Sequence, residues 1–366
     1  MPDVKRLLIT SAGSLVGQNL LEGLAGRRDG LEVLGLNSEA DAASNFLCDR
    51  VHLVPPMADP AFAPRFAELL ARERPHLVVP GRDDDAVFLA DWQERHPSAG
   101  VGFMVGSAAA ARMLRDKRLS AQFARAAGLP FAPTLGAEDG ADVVLAHSAA
   151  WGWPVLAKPR LGYASRGVVL VGDERQLRVA LAWPDYCVQP WLGGPPALQG
   201  LRDMLEGGMP LDWTLPGNGK TSLDGCITPA GELVALCATR HEELRLGRSE
   251  RVHALPQGGP AHRLARTFGQ ALAEAGWRGA FNVQLGQDAS GELVAFEMNG
   301  RFTGSAATLQ LVGCDFIGDA LGAFLGPLPP APAVPPVQRV DKRLANWPVP
   351  QEAVQQLRRT GLWQRP

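Results

Sequence analysis

A chain of 366 residues exceeds what one hydrophobic core usually organises, so two or three domains are expected. Apolar residues at 46% exclude a largely disordered protein, and 36 basic against 38 acidic residues exclude the positive field of a nucleic-acid or membrane-surface binder. Phosphates of any ligand must therefore be met by local groups.

The five cysteines form no CxxC pair and have no nearby histidine, which fits buried free thiols in a reducing compartment better than zinc or disulfides. No apolar run approaches bilayer-spanning length, and a strand begins almost at once, leaving no room for a signal peptide. A cytoplasmic protein is the expectation.

Residues 6–11 read RLLITS, a short apolar strand, and AGSLVGQNLLEGLAG follows with helical periodicity over 16–25. A strand over 31–36, a helix over 61–74, a strand over 76–80, a helix over 83–94 and a strand over 101–105 continue the alternation. That pattern specifies a doubly wound parallel sheet. Gly13 and Gly17 allow a tight first turn, but their spacing is GxxxG and not GxGxxG. Leu36 is followed by Asn37 where a dinucleotide site would carry an acid, with Glu39 a weak substitute. A cofactor-free turn is the plainer reading, and an NAD(P)-dependent oxidoreductase is its competitor. Asp83, Asp84 and Asp85 open the next helix as dipole partners, or as recognisers of an amine.

Ser107 caps a helix to 113, and Asp116–Lys117 begins another that Gly128 and Pro130 stop. Residues 152–171, GWPVLAKPRLGYASRGVVLV, read as two strands joined by a loop bearing Gly162, Ser165 and Gly167. Lys158 ends the first strand. Such a loop can cover phosphates with backbone N–H groups while the lysine offsets their charge; a plain hairpin with a surface lysine is the alternative. A helix over 174–182 and a strand over 186–190 follow. Residues 193–219 form a Gly/Pro-rich excursion with a short helix at 198–205.

Strands over 222–228 and 232–240, a helix over 261–275 and a strand over 279–286 lead to GELVAFEMNGRFTG at 291–304. If that strand persists, its period of two places Glu297, Asn299 and Arg301 on one face. An acid and an amide are hard ligands suited to Mg²⁺, and an arginine suits a transferring phosphoryl group; a strand end capping a loop is the alternative. A helix over 315–324, a proline-rich tail over 326–336 and a peripheral helix over 351–362 complete the chain.

Four features thus occur in order: Asp116–Lys117 at a helix start, Lys158 before a glycine loop, Gln189–Pro190–Trp191–Leu192 after a strand, and Gln284 with Glu297, Asn299 and Arg301. The ordered set resembles the ATP-grasp superfamily over residues 6–324, particularly the synthetase domains of the carbamoyl phosphate synthase large subunit. The resemblance implies an α/β fold. An N-terminal doubly wound parallel-sheet (pre-ATP-grasp) domain would span 1–112. A two-lobed α+β ATP-grasp fold would follow, with its small lobe and helical entry over 113–192 and its large lobe over 193–326. Residues 327–366 would be a tail.

It also implies roles. Lys117 and Lys158 would contact nucleotide phosphates, with Lys158 also near the adenine. Gly162, Ser165 and Gly167 would lie in the loop closing over the triphosphate. Gln189, Pro190, Trp191 and Leu192 would form the adenine edge and inter-lobe linker. Gln284, Glu297 and Asn299 match a divalent-metal set, Arg301 the residue that steadies the transferring phosphoryl group, and Arg240 a basic position near the phosphates. The implied cofactors are ATP and Mg²⁺, as two ions, with Mn²⁺ a substitute.

Three positions depart from the pattern. Gln189 stands where a glutamate is common. The ribose-holding glutamate after Gly193–Gly194 is missing, leaving Asp212 or Asp224. Gly300 replaces a proline. The implied activity is carboxylate–amine ligation through an acyl phosphate, with ADP and phosphate released. Its partners would be small-molecule carboxylate and amine substrates, with no nucleic acid or membrane; a homodimer is allowed. A catalytically silent nucleotide-binding protein is the competitor that the departures suggest. His241, the one histidine near this set, reads as structural.

Overall fold

The run Lys5–Ile9 becomes the middle of a sheet covered on both faces, which is why Leu7, Leu8 and Ile9 are consecutively apolar and all buried. The computed structural model describes residues 4–97, 100–163, 165–208, 219–245, 248–333, 335, 337–342 and 346–365. In this first sheet the strands Arg50–Leu53, Leu31–Asn37, Lys5–Ile9, Leu77–Val79 and Gly102–Phe103 lie side by side and parallel. Helix Leu15–Gly23 packs on one face with Phe316–Leu325, and helices Phe62–Glu73 and Asp83–Arg95 contribute to the core on the other. The βα alternation required this arrangement.

The small lobe is a four-stranded antiparallel sheet in the order Leu135–Gly136, Tyr186–Pro190, Val155–Pro159, Val169–Val171. Helices Ala141–Trp151 and Glu174–Ala180 share its core of Val144, Val155, Ala157, Leu177 and Val188. The first of these helices was not anticipated. Its apolar residues are spread around the helix instead of gathered on one face, so the 3.6-residue period does not stand out. Gly140 and Gly152, both at positive φ, bracket it.

The large lobe is a six-stranded antiparallel sheet in the order Leu293–Asn299, Gly279–Gln287, Lys220–Ile227, Leu233–Arg245, Arg248–Ala254, Arg339–Asp341. Alternate residues Phe281, Val283 and Leu285 enter the core shared with Ala265, Phe268 and Leu272 of helix Pro260–Glu274. Asn282 and Gln284 take the opposite face.

Three expectations need correction. The excursion after Gly193 is largely helix, Gly194–Gly207, longer than the short turn of helix expected; residues 209–218 lie outside the described residues. The tail is not a loose appendage. Arg339–Asp341 extends the large sheet, and Leu362–Gln364 pairs antiparallel with Arg50–Leu53 at the edge of the first sheet. Between them helix Gln351–Thr360 buries Val354 and Leu357. The cysteines are not all free thiols: Cys237 and Cys314 are paired, while Cys48, Cys187 and Cys226 are free and buried. The pairing was hidden because 77 residues separate the two, and only packing of the strand Leu233–Arg245 against helix Phe316–Leu325 brings them together. Among the described residues no helix is long and apolar enough to cross a membrane.

Candidate functional site

Antiparallel register sets two polar rows across one face of the large sheet. One runs Glu297, Gln284, Ser222, Thr239; the other runs Asn299, Asn282, Asp224, Cys237. Cross-strand neighbours share a face, so carboxylate and amide groups far apart in sequence form one floor. A register shift after Gln284 lies beside Glu297. The strand stops at Asn299, short of Arg301, yet the Arg301 guanidinium still reaches back to Asn299 Oδ1 at 3.1 Å.

A cation meets each oxygen-bearing side chain that the sequence proposed for a metal. Lys117, from the first turn of helix Lys117–Ala126, lies 3.1 Å from Glu297 Oε1 and donates to the carbonyl of Gly162 at 3.2 Å. Lys220 Nζ donates to Gln284 Oε1 at 2.9 Å. Arg301 bridges Asn299 to Asp83 of the first domain, with Nη2 3.2 Å from Asp83 Oδ2. Burial alone would push the Glu297 carboxyl up, but Lys117, Arg301 and Lys158 outweigh it and hold the group below its ordinary value. Glu297 is therefore an anion in a cationic nest.

The two lobes meet at a second buried pair. Lys158 Nζ donates to Gln189 Oε1 at 2.7 Å and stands 4.8 Å from the Phe296 ring centroid. Gln189 Nε2 donates to Thr134 Oγ1 at 2.9 Å and to the Phe296 carbonyl at 3.3 Å. The side chain of Gln189 is thus engaged wholly within the protein, and a glutamine there matches a lysine donor on one end and two acceptors on the other. Pro190 ends its strand, and Trp191 and Leu192 lead out of it; Leu192 passes so close to Gly286 of the floor that a side chain at 286 would strike its carbonyl. The Trp191 indole N–H is buried without a partner.

Burial lowers the Lys158 ammonium from the usual 10.5 to about 8 despite the attraction of Glu297. Above the folded value and below 10.5 the unfolded chain still holds a proton that the folded chain has released. Stability contributed by this group therefore rises with pH across that window. Lys158→Met is expected to reduce that slope, measured as the change in urea midpoint between pH 8 and pH 10. An unchanged slope would contradict it.

Gly162, Ser165 and Gly167 belong to a mostly exposed loop, with Ser165 and Gly167 at positive φ. Arg160 ties the loop's start to Asp116 at 2.6 Å, and Tyr186 donates to the Gly167 carbonyl at 2.9 Å. Arg240 is exposed and paired with Glu242 at 3.3 Å, outside the cluster just described. Asp224 cannot serve a ribose. It is fully buried, accepts from Ser222 and Asn282, and burial pushes its carboxyl up to about 7. Asp212 lies outside the described residues. His241 is buried between Thr239 and Ser249, and burial holds its pKa well below the ordinary value. The first glycine turn is filled by the protein itself: a side chain at Gly13 would strike Asn37, whose amide is bonded to Asn45 and the Glu39 carbonyl.

Gly300 now has a physical account. A Cβ there would come within 2.8 Å of the buried Trp277 indole. Gly300→Ala is expected to cost about 1–3 kcal/mol by overpacking, read from denaturant unfolding. No loss of stability would contradict the close contact.

Lys220 and the partnership of Asp83 with Arg301 were missed in the sequence. Lys220, Ser222 and Asp224 do alternate on one strand, but nothing local says that they face Gln284 and Asn282. Lys220 is half-buried, and desolvation of its ammonium lowers it to about 8.

The donor set fits a magnesium ion carried largely by a nucleotide. One carboxylate and two carboxamides supply hard oxygens, and Mg²⁺ at phosphate-transfer sites is usually held by one or two carboxylates plus the phosphates. Among the described residues no group of three or more His, Cys, Asp or Glu side chains is placed to hold a metal unaided. The buried Asn299 Nδ2 and Asp83 Oδ1 have no hydrogen-bond partner, so the site keeps polar capacity that the chain leaves unused.

No family model matches the sequence. A formate-dependent phosphoribosylglycinamide formyltransferase of Azotobacter vinelandii is 29% identical over 289 residues, covering 78% of this chain and 66% of that protein. The chain thus spans about two thirds of that relative, and 49% of the same enzyme from Dechloromonas aromatica. An ADP complex of N5-carboxyaminoimidazole synthetase from Staphylococcus aureus superposes with a TM-score of 0.64 at 14% identity, over 92% of this chain and 80% of that one. The biotin carboxylase domain dimer of a Hydrogenobacter thermophilus 2-oxoglutarate carboxylase, bound to MgADP, ADP and bicarbonate, gives 0.64 at 16% identity over 88% and 69%. With the parallel N-terminal sheet, the small antiparallel lobe and the large antiparallel floor, the chain has the ATP-grasp fold.

Proposed function

We propose that the protein is an ATP-dependent, ADP-forming carboxylate–amine ligase. The observation that carries this reading is Glu297 at the floor of the large lobe, met by Lys117 from the entry helix, with Arg301 alongside and Lys158 at the seam of the lobes. A carboxylate oxygen of the substrate attacks the γ-phosphorus, ADP leaves, and the amine then displaces phosphate from the acyl phosphate. The chain's work is charge stabilisation, positioning and exclusion of water. Lys117, Lys158 and Arg301 offset charge on the phosphates. The loop bearing Gly162, Ser165 and Gly167 covers them with backbone N–H groups, and Pro190 to Leu192 line the adenine edge. Arg240 is exposed and paired with Glu242, so this reading gives it no contact with the phosphates. Of the three oxygen-bearing side chains Glu297, Asn299 and Gln284, the first two would hold Mg²⁺, or Mn²⁺ in its place, which when bound supplies Lewis-acid polarisation of the phosphates; the Gln284 oxygen is taken by Lys220.

The relatives support a small carboxylate: one is named for formate and a glycinamide, and one structural neighbour holds bicarbonate with MgADP. The test is a coupled assay for ADP, with phosphate measured in parallel, on protein incubated with ATP, Mg²⁺ and pooled small carboxylates and amines. ADP and phosphate are expected in equal amounts, dependent on both pools. Absence of ATP binding, together with no ADP release on any pool, would overturn the reading.

A further inference from the structure

The oxygen of Gln284 is committed by a chain of hydrogen bonds that runs into the sheet. Ser222 and Asn282 both donate to the fully buried Asp224, at 3.0 and 2.9 Å. Asn282 Nδ2 also donates to Ser222 Oγ at 2.7 Å, which leaves its Oδ1 to accept from Gln284 Nε2 at 3.3 Å. With its nitrogen turned inward, Gln284 presents Oε1 to the site, and Lys220 Nζ takes that oxygen at 2.9 Å.

The three cations on the floor are not equivalent. Lys117 also holds the carbonyl of Gly162, in the loop that would close over phosphates. Arg301 lies beyond the end of its strand. Each has a second oxygen partner, the Gly162 carbonyl for Lys117 and Asp83 for Arg301, to turn to when a metal takes the first. Lys220 opens the strand Lys220–Ile227, paired there with His241, and its ammonium donates to the Gln284 amide, which Asn282 holds from behind; no second oxygen partner accompanies it among the described residues. A divalent ion on Gln284 would have to expel a lysine tethered to the same sheet, and Glu297 is the only carboxylate among the three oxygen-bearing side chains Glu297, Asn299 and Gln284. Like charges at ligand distance repel strongly in a partly desolvated site.

We infer that Lys220 holds the place of a second divalent cation, so that the site takes one nucleotide-borne ion on Glu297 and Asn299 rather than two. The inference rests on the ATP-binding reading above. Lys220 acts on the phosphates as a built-in monovalent charge, and Gln284 orients that lysine instead of ligating metal. This replaces the two-ion expectation drawn from the sequence.

Counting bound Mn²⁺ tests it. The full-length protein is saturated with the β,γ-imido analogue of ATP and titrated with Mn²⁺, with bound ion read by equilibrium dialysis and electron paramagnetic resonance. One protein-bound Mn²⁺ per chain, without spin exchange, is expected. Lys220→Glu should bind a second ion and show exchange broadening, because a carboxylate now stands where the ammonium was. Lys220→Gln should still bind one ion, with analogue affinity about tenfold weaker. Two ions in the unaltered protein would overturn the inference while leaving ATP binding intact. A folded Lys220→Glu protein that still binds one ion would remove Lys220 as the cause. If that variant does not fold, the unaltered protein and Lys220→Gln decide. Failure of the analogue to bind with Mn²⁺ would overturn the ATP reading, and this inference with it.

Discussion

Glu297→Gln is expected to lower ADP release by about 10²–10³-fold, the scale set by removing one preorganised electrostatic contact from a phosphoryl-transfer site. The substitution keeps the shape of the side chain and removes its charge. Lys117, Arg301 and Lys158 outweigh burial and hold Glu297 as an anion, so the glutamine leaves those cations without a counter-charge and would deprive a Mg²⁺ bound as proposed of its one carboxylate. Binding of ATP should weaken in Mg²⁺ and change little in EDTA. The melting temperature should move by a few degrees at most, since Glu297 retains surface exposure and its partner Lys117 keeps the Gly162 carbonyl. Turnover within twofold of the unaltered protein would remove Glu297 from the mechanism.

Arg301→Met is expected to damage stability and turnover together. Arg301 is the strap between the floor and the first domain: it reaches Asn299 on one side and Asp83 on the other, and both members of the Asp83 pair are largely buried. Removing the guanidinium strands the Asp83 carboxylate, whose Oδ1 already lacks a partner. The cost is about 3 kcal/mol in denaturant unfolding, and phosphoryl transfer should fall about 10²-fold. Asp83→Asn separates the two effects. It relieves the stranded charge, so the double variant should be more stable than Arg301→Met alone, while turnover stays low. A double variant no more stable than the single one would show that the pair is not coupled.

The first sheet was legible because its signal is local. Apolar runs of about five residues alternate with amphipathic helices, and only one handed arrangement satisfies that pattern. Glu297, Asn299 and Arg301 were legible for a similar reason: they sit within five residues at the end of an apolar strand. Lys220 and Asn282 were not, because their meaning depends on register between strands separated by a hairpin and a helix. Asp224 illustrates the opposite failure. An acid in a sequence looks available for a ribose hydroxyl, and only burial beneath Ser222 and Asn282 shows it to be internal. The strands Arg339–Asp341 and Leu362–Gln364 are three residues each, too short for any period to register, and long-range pairing alone defines them.

The pairing of Leu362–Gln364 with Arg50–Leu53 also has a temporal meaning. On the ribosome the parallel strands of the first sheet emerge early, but the segment that covers their outer edge is made only after both lobes of the grasp have been synthesised. Until Trp363 docks beside Phe46 and the ladder at residues 50–53 closes, that edge offers unpaired amides to any passing chain. The nascent chain therefore carries an adhesive margin until residues 362–364 have been made, and that strand is the seal.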